Sequence, residues 1–258
     1  MSQFSAVDAA PDIAALEAYL DRTARGLGAM KRYIVGAHIA AGSRVVLDVG
    51  CGVGHDLALL AQSGITAIGI EPSGAFAGIA RQRTLGMHEG LVVVVQASGE
   101  RLPLRDTAAD GCRIERVLQH VADPALLLRE ALRCVRNGGL LTVFEPDWTT
   151  MRVASDHFDS DARWLANVRN PTVGRDLPNL VEQAHADVVD IVDEQSVWPS
   201  LARAEVGVNF ARALERQVAS GSMGRADAAM WFDDQRRRDR AGRFRATITK
   251  RLVVARVR

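Results

Sequence analysis

Cysteine is scarce in this 258-residue chain. Cys51, Cys112 and Cys134 stand far apart, with no C-x-x-C pair and no disulfide framework. They suit buried thiols in a reducing compartment, and no metal site is expected. Excess charge of one sign is also missing. Against 32 Lys and Arg stand 31 Asp and Glu, for a formal net charge of +1, so bulk charge gives no argument for nucleic acid or an anionic membrane. No apolar run approaches the ~18 residues of a membrane span. The N-terminus does not read as a secretory signal. A cytoplasmic protein without nucleic-acid or membrane partners is expected.

Aromatic residues are few and unevenly placed. Of thirteen, only Phe76 falls within residues 44–143, whereas Trp148, Trp164, Trp198 and Trp231 all lie beyond residue 145. The first half is therefore a scaffold of glycine and aliphatic residues, and the bulky apolar surface belongs to the second.

The stretch that is most informative is Val45-Val46-Leu47-Asp48-Val49-Gly50-Cys51-Gly52-Val53-Gly54. A β-branched run reads as a buried strand, and it breaks into glycines where a helix should begin. Glycine permits positive φ and a close approach of backbone to ligand. The next helix aims unpaired N–H groups into that turn. The glycines follow G-x-G-x-G, not the G-x-G-x-x-G of dinucleotide binders, and His55 replaces the last dinucleotide glycine. This spacing argues against a nicotinamide oxidoreductase. A second strand, Thr66 to Ile70, ends in Glu71, 21 residues past Gly50. That is near the ~20-residue spacing at which a βαβ unit offers a carboxylate to a ribose diol. Strand and helix then alternate over 44–49, 55–62, 66–71, 74–86, 91–96, 110–115, 123–135 and 139–145, a pattern that predicts a parallel sheet covered by helices.

Asp48 to Gly54, followed by Gly69-Ile70-Glu71-Pro72-Ser73, resembles the first two motifs of class I S-adenosylmethionine-dependent methyltransferases. Ala97-Ser98-Gly99-Glu100 is similar to that family's adenine-side segment. Arg133 to Gly139 is similar to the turn before its fifth strand, with Asn137 where proline is usual. The resemblance implies an α/β Rossmann-like sheet of seven strands, mostly parallel, with helices on both faces. It adds an antiparallel strand at one edge, for which the late segments 187–198 and 246–257 are the candidates. Residues 1–43 are expected to form an N-terminal helical lid over the cofactor, preceded by a mobile tail over 1–10. Residues 44–146 would be the cofactor-binding core. Residues 147–258 would complete the sheet and carry mostly helical insertions, 147–185 and 199–243, that cap the substrate.

The implied cofactor is S-adenosyl-L-methionine, released as S-adenosyl-L-homocysteine. Its expected contacts are Asp48, Gly50, Cys51, Gly52, Glu71, Pro72, Ala97, Ser98, Gly99 and Glu115, with Tyr19 from the lid. Ser98 stands where many relatives place an aspartate beside adenine. Arg22, Lys31 and Tyr33 are further lid candidates. The segment Glu115 to His120 follows the fourth strand, whose end faces the transferable methyl in this family. His120 is the candidate general base, its ordinary pKa lying near neutrality, and Glu115 would orient it or line the cofactor. Trp148, Asp147, Arg169 and Tyr33 are the candidate substrate contacts. Glu145 and Asp147 alternatively cap the next helix. The expected reaction is O-methylation of a small molecule, of the secondary-metabolite kind, by a monomer or homodimer. N- or C-methylation, or a non-methylating cyclase or cofactor-binding module of the same fold, remain alternatives. The basic run Arg236 to Arg240 reads as a solvated helix end rather than a phosphate contact.

Overall fold

The computed structural model describes residues 7–10, 12–86, 91–155 and 168–258. Seven strands form one sheet in the order β3-β2-β1-β4-β5-β7-β6. They are β1 (Val45–Val49), β2 (Thr66–Glu71), β3 (Val92–Gln96), β4 (Ala109–Glu115), β5 (Val135–Val153), β6 (Ala186–Trp198) and β7 (Ala246–Val257). The first five pair in parallel, and β7 runs antiparallel between β5 and β6. The order reverses at β1, whose neighbours are β2 and β4. A crevice therefore opens above the C-terminal ends of these strands, where open α/β sheets bind ligands.

Local sequence explains the crossovers. Helix α3 (His55–Gln62) starts directly from Gly54. Helix α4 (Gly74–Thr84) is capped by Ser73, whose hydroxyl accepts from the Phe76 N–H at 3.1 Å. Helix α5 (Pro124–Arg133) has Pro124 in its first turn and an Asp123 cap, the arrangement that satisfies orphan N–H groups at a helix start.

The lid is helical as expected: α1 (Ile13–Gly26) and α2 (Gly28–Ala40). Ile34 and Leu27 pack against Leu140, Phe144, Leu252 and Val254. Each fully buried aliphatic side chain is worth ~1.5–3 kcal/mol, so α2 is held by the sheet. The expected mobile tail is corrected in part. Residues 7–9 form a short 3-10 turn, and the Asp8 carboxylate accepts from the Ser73 hydroxyl and the Gly74 and Ala75 N–H groups at the start of α4. Residues 1–6 lie outside the described residues, as does Trp164.

The insertion after residue 146 begins as strand rather than helix. Chain β5 runs on to Val153, with a register break between Asp147 and Arg152 along β7. Among the described residues that follow, a helix spans Val173–Gln183. The second insertion is helical: Leu201–Val208, Phe210–Ala219 and Arg225–Arg240. Trp231 is fully buried among Phe210, Met151 and Leu214, with the Phe210 ring edge-on at 5.4 Å. It packs inside this helical insertion and does not line the cavity described below.

Candidate active site

A cavity of about 510 Å³ lies over the switch point, within the range of small-molecule sites. Its floor is the glycine loop. Gly50 has φ +77°, and an added Cβ would meet Val117 Cγ2 at 2.3 Å, so no larger residue fits there. The loop's N–H groups are less available than the sequence suggests. Gly50 and Cys51 both donate to the Ile70 carbonyl, at 2.8 and 3.0 Å, which straps the loop to β2.

Glu71, at the tip of β2, accepts from the Gly52 N–H and the Ser73 N–H, each at 3.0 Å. Burial pushes its pKa up while these donors pull it down. One donor on each oxygen leaves further lone pairs for hydroxyl donors. Glu71, Pro72, Ser98 and Gly99 line the cavity together with Gly50, Cys51 and Gly52. Ser98 is partly engaged, its hydroxyl accepting from the Glu100 N–H at 3.2 Å. Ala97 and Asp48 do not line the cavity. The Ala97 N–H donates to the Glu71 carbonyl, and Asp48 is buried beneath the loop.

That burial belongs to a network the sequence did not announce. Strand register sets Asp48 opposite Arg113, and Arg113 donates to Asp48 at 2.8 Å and to Glu115 at 2.6 Å. Lys31, from the lid, donates to Asp56 at 2.6 Å and to Glu115 at 2.8 Å. Arg113 also lies 3.0 Å from Asp56. Burial raises Asp48 to about 7, against the pull of the Arg113 charge. Burial raises Asp56 too, but Arg113 and Lys31 outweigh it and leave that carboxyl below its ordinary range. Two cations thus face three carboxylates, and Asp48 Oδ2 has no hydrogen-bond partner among the described residues. The sequence carried one signal for Arg113: with Glu115 it forms a charged pair two residues apart, alternating with Cys112 and Ile114, in the strand expected over 110–115.

His120 lines the cavity from a turn after β4, half-buried. Burial, then the Arg116 charge, lowers its pKa to about 3, far from the near-neutral value expected from sequence. Trp148 also lines the cavity, its indole N–H donating to Gln119 Oε1 at 2.8 Å. Tyr19 lines it while donating its hydroxyl to the Gly207 carbonyl. Arg169 and Arg22 lie on the wall.

Two substrate candidates are placed elsewhere. Asp147 is buried off the cavity, accepting from the Thr149 N–H and hydroxyl at the register break. Tyr33 is exposed on the outer side of α2 and donates to Asp190 at 3.1 Å. Glu145 is neither a ligand contact nor a helix cap: its Oε1 accepts from the Val117 and Leu118 N–H groups, both at 2.6 Å. It thereby shapes the turn that carries His120. The basic run is internally paired, Arg236 with Asp233, and Arg237 and Arg238 with Asp234. Among the described residues no metal-binding cluster occurs, and no helix is long and apolar enough to cross a membrane.

Glycine floor, strand-tip acid and reversing strand order define a class of nucleoside-cofactor enzymes, and the comparisons agree. The family described as a methyltransferase domain matches residues 47–143. The chain belongs to the class I S-adenosylmethionine-dependent methyltransferases. A 37.1 kDa protein of transposon TN4556 from Streptomyces fradiae is 34% identical over 92% of this chain and 70% of its own length. A methyltransferase of Mycobacteroides abscessus is 36% identical over 43% of this chain and 42% of its own, so that match spans about two fifths of the relative. Among solved structures, the cyclase SpnF superposes with a TM-score of 0.54 at 23% identity, over 83% of this chain and 75% of the other. The residues present suit the family's cofactor. Gly50 and Gly52, both at positive φ, leave the cavity floor without side chains, and Glu71, bonded to the Gly52 N–H, keeps free lone pairs beside it.

Proposed function

We propose that this enzyme methylates a hydroxyl of a small-molecule acceptor, with the acceptor seated between His120 and Trp148. Glu71 is the observation that carries the cofactor side of this reading. It is a buried carboxylate at the tip of β2 that accepts from the Gly52 N–H and lines the cavity, where a vicinal diol would donate to it. Glu71, Pro72, Ser98 and Gly99 would hold the nucleoside part, and Gly50 and Gly52 the amino-acid part. The cofactor, when bound, supplies a methyl group already activated on a sulfonium.

The protein's remaining task is alignment and exclusion of water. His120 is neutral across the physiological range and so accepts a hydrogen bond from the acceptor hydroxyl. The hydroxyl proton becomes strongly acidic as its oxygen gains a third substituent, the methyl group, so even a weak base takes that proton late in the reaction. Glu115 is a positioning residue, its carboxylate held by Lys31 and Arg113. A natural-product acceptor, a small assembly of one or two copies and a cytoplasmic location complete the reading. The test is incubation of the full chain with cofactor labelled in the methyl group and a panel of hydroxylated small molecules. Label in the acceptor supports O-methylation, and label on nitrogen or carbon redirects the acceptor assignment.

A second reading is favoured by the aromatic walls Trp148 and Trp198 and by the likeness to SpnF, described as a cyclase. The same cavity would then fold a flexible apolar substrate without methyl transfer. Product formed without label would select it.

A further inference from the structure

Charge is divided unevenly along the cavity. Among the described residues, the carboxylates that line it are Asp56, Glu71, Glu100 and Glu115, all in the first half of the chain, at the cofactor end. Beyond residue 145 the described lining residues include Arg169, Arg216 and Lys250 and no carboxylate. Arg116 joins them from the end of β4. In a chain whose charges nearly cancel overall, this local excess of cations is specific to the acceptor end.

These cations are poorly paired within the protein. Arg216 Nη1 is buried without a hydrogen-bond partner among the described residues, and so is Arg116 Nε, whose nearest carboxylate oxygen, on Glu115, is 3.8 Å away. The Arg116 guanidinium also donates from Nη2 to the Thr23 hydroxyl at 3.3 Å. Lys250 is 13% exposed at its side chain, meets Glu194 only at 3.9 Å, and lies 5.9 Å over the Trp198 ring. Burial and the nearby Arg116 charge lower its pKa to about 8, against the pull of Glu194. Arg216 is lowered by burial and by Arg212. Buried N–H groups left without partners cost stability, and each such group asks for a reason beyond folding. Backbone strain agrees: Arg116 has φ +56°, a conformation unfavourable for a residue with a Cβ.

We propose that the methyl acceptor carries an oxyanion, a carboxylate or phosphate, joined to an apolar body, and that Arg116 and Lys250, with Arg216 from the cap, hold that anion while Trp148 and Trp198 cover the body. The inference rests on the reading of this cavity as a methyl-acceptor site and adds the acceptor's chemical class. An anion would satisfy the open guanidinium N–H groups through charge-assisted hydrogen bonds. The cofactor's own carboxylate is a competing anion, so the test is made with that carboxylate already in place.

The full chain is saturated with S-adenosylhomocysteine and titrated calorimetrically with matched pairs, cinnamate against cinnamamide and benzyl phosphate against benzyl alcohol. At least one anion is expected to bind roughly tenfold or more tighter than its neutral partner. Lys250→Met and Arg216→Gln are each expected to remove most of that preference, and Arg216→Lys to restore part of it, with S-adenosylhomocysteine affinity unchanged. Retained S-adenosylhomocysteine binding shows that a variant is folded, and Arg216→Gln carries the test where Lys250→Met is not. Whichever anion is preferred names the source of the charge. Equal binding of anion and neutral partner, absence of binding by all four probes, or an anion preference that survives in the folded variants would overturn the inference. Failure of the wild type to bind S-adenosylhomocysteine would instead overturn the underlying methyltransferase reading, and this inference with it.

Discussion

Lys31 reaches from the second lid helix to within 2.6 Å of Asp56, in the first turn of the helix behind the glycine loop. The contact joins lid and cofactor floor by a buried ion pair, which Glu115 extends to the end of β4. Lid position and loop position are thereby linked through one ammonium group.

Lys31→Met should therefore do more than remove a surface charge. It would leave Asp56, Glu115 and Asp48 to share Arg113, with Arg116 no nearer than 3.8 Å to Glu115. Breaking one side of a buried ion-pair network typically costs ~3–5 kcal/mol. Urea denaturation should show a loss of this order, together with weakened cofactor binding. A loss below ~1 kcal/mol, the value of an exposed pair, would show that the lid is not tied down there.

Glu145 should make stability depend on pH in an unusual direction. Burial raises its pKa from 4.5 to about 8, although the Leu118 and Val117 N–H groups oppose the shift. The folded protein then holds a proton that the unfolded chain releases. Its stabilising contribution is complete below pH 4.5 and is lost as pH rises toward 8. Glu145→Gln mimics the protonated form. Denaturation across this window should show the variant gaining on the wild type as pH rises, the two converging in acid. A constant difference would mean that Glu145 is ionised throughout.

His120→Ala should reduce turnover by roughly tenfold to a hundredfold, at or below the usual range for a lost general base because the imidazole is a weak one. Cofactor affinity should stay the same. The turnover profile of the wild type should lack an inflection near 6.5, the ordinary histidine value, because burial and Arg116 hold this imidazole near 3. An inflection near 6.5 that disappears in His120→Ala would contradict the assignment.

Most of the fold was legible because it depends on local signals. β-Branched runs ending in glycine, acid and turn residues placed the first five strands within a residue or two, β5 excepted, and the late segments 187–198 and 246–257 pair as expected. The extension of β5 to Val153 was not legible, since its partners on β7 lie almost a hundred residues away. The cavity floor was legible at Gly50 and Gly52, where positive φ dictates residue type, and Glu71 lines the same cavity from the tip of β2. Asp48 shows the limit: its place in the motif is visible in sequence, but its partner Arg113 is chosen by strand register 65 residues on. Asp147 and Tyr33 were misplaced for a similar reason. A strand end or helix fixes which face a side chain takes only once its neighbours are known, and both turn away from the cavity. Arg116, Arg216 and Lys250 come from three distant segments, so no spacing rule could have gathered them.

Glu71→Ala should weaken S-adenosylhomocysteine binding by roughly tenfold to a hundredfold, the value of one or two hydrogen bonds to a charged group. Calorimetric titration checks it. Some of the loss will come from the Gly52 and Ser73 N–H groups that Glu71 anchors. Unchanged affinity would remove Glu71 from the cofactor site.

The most direct test is a crystal structure of the full chain with S-adenosylhomocysteine. The two sugar hydroxyls should lie within ~2.5–3.0 Å of the Glu71 carboxylate, with the amino-acid end over Gly50 and Gly52. A ligand bound away from this crevice, or a Glu71 that meets only Gly52 and Ser73 while the sugar lies elsewhere, would contradict the account.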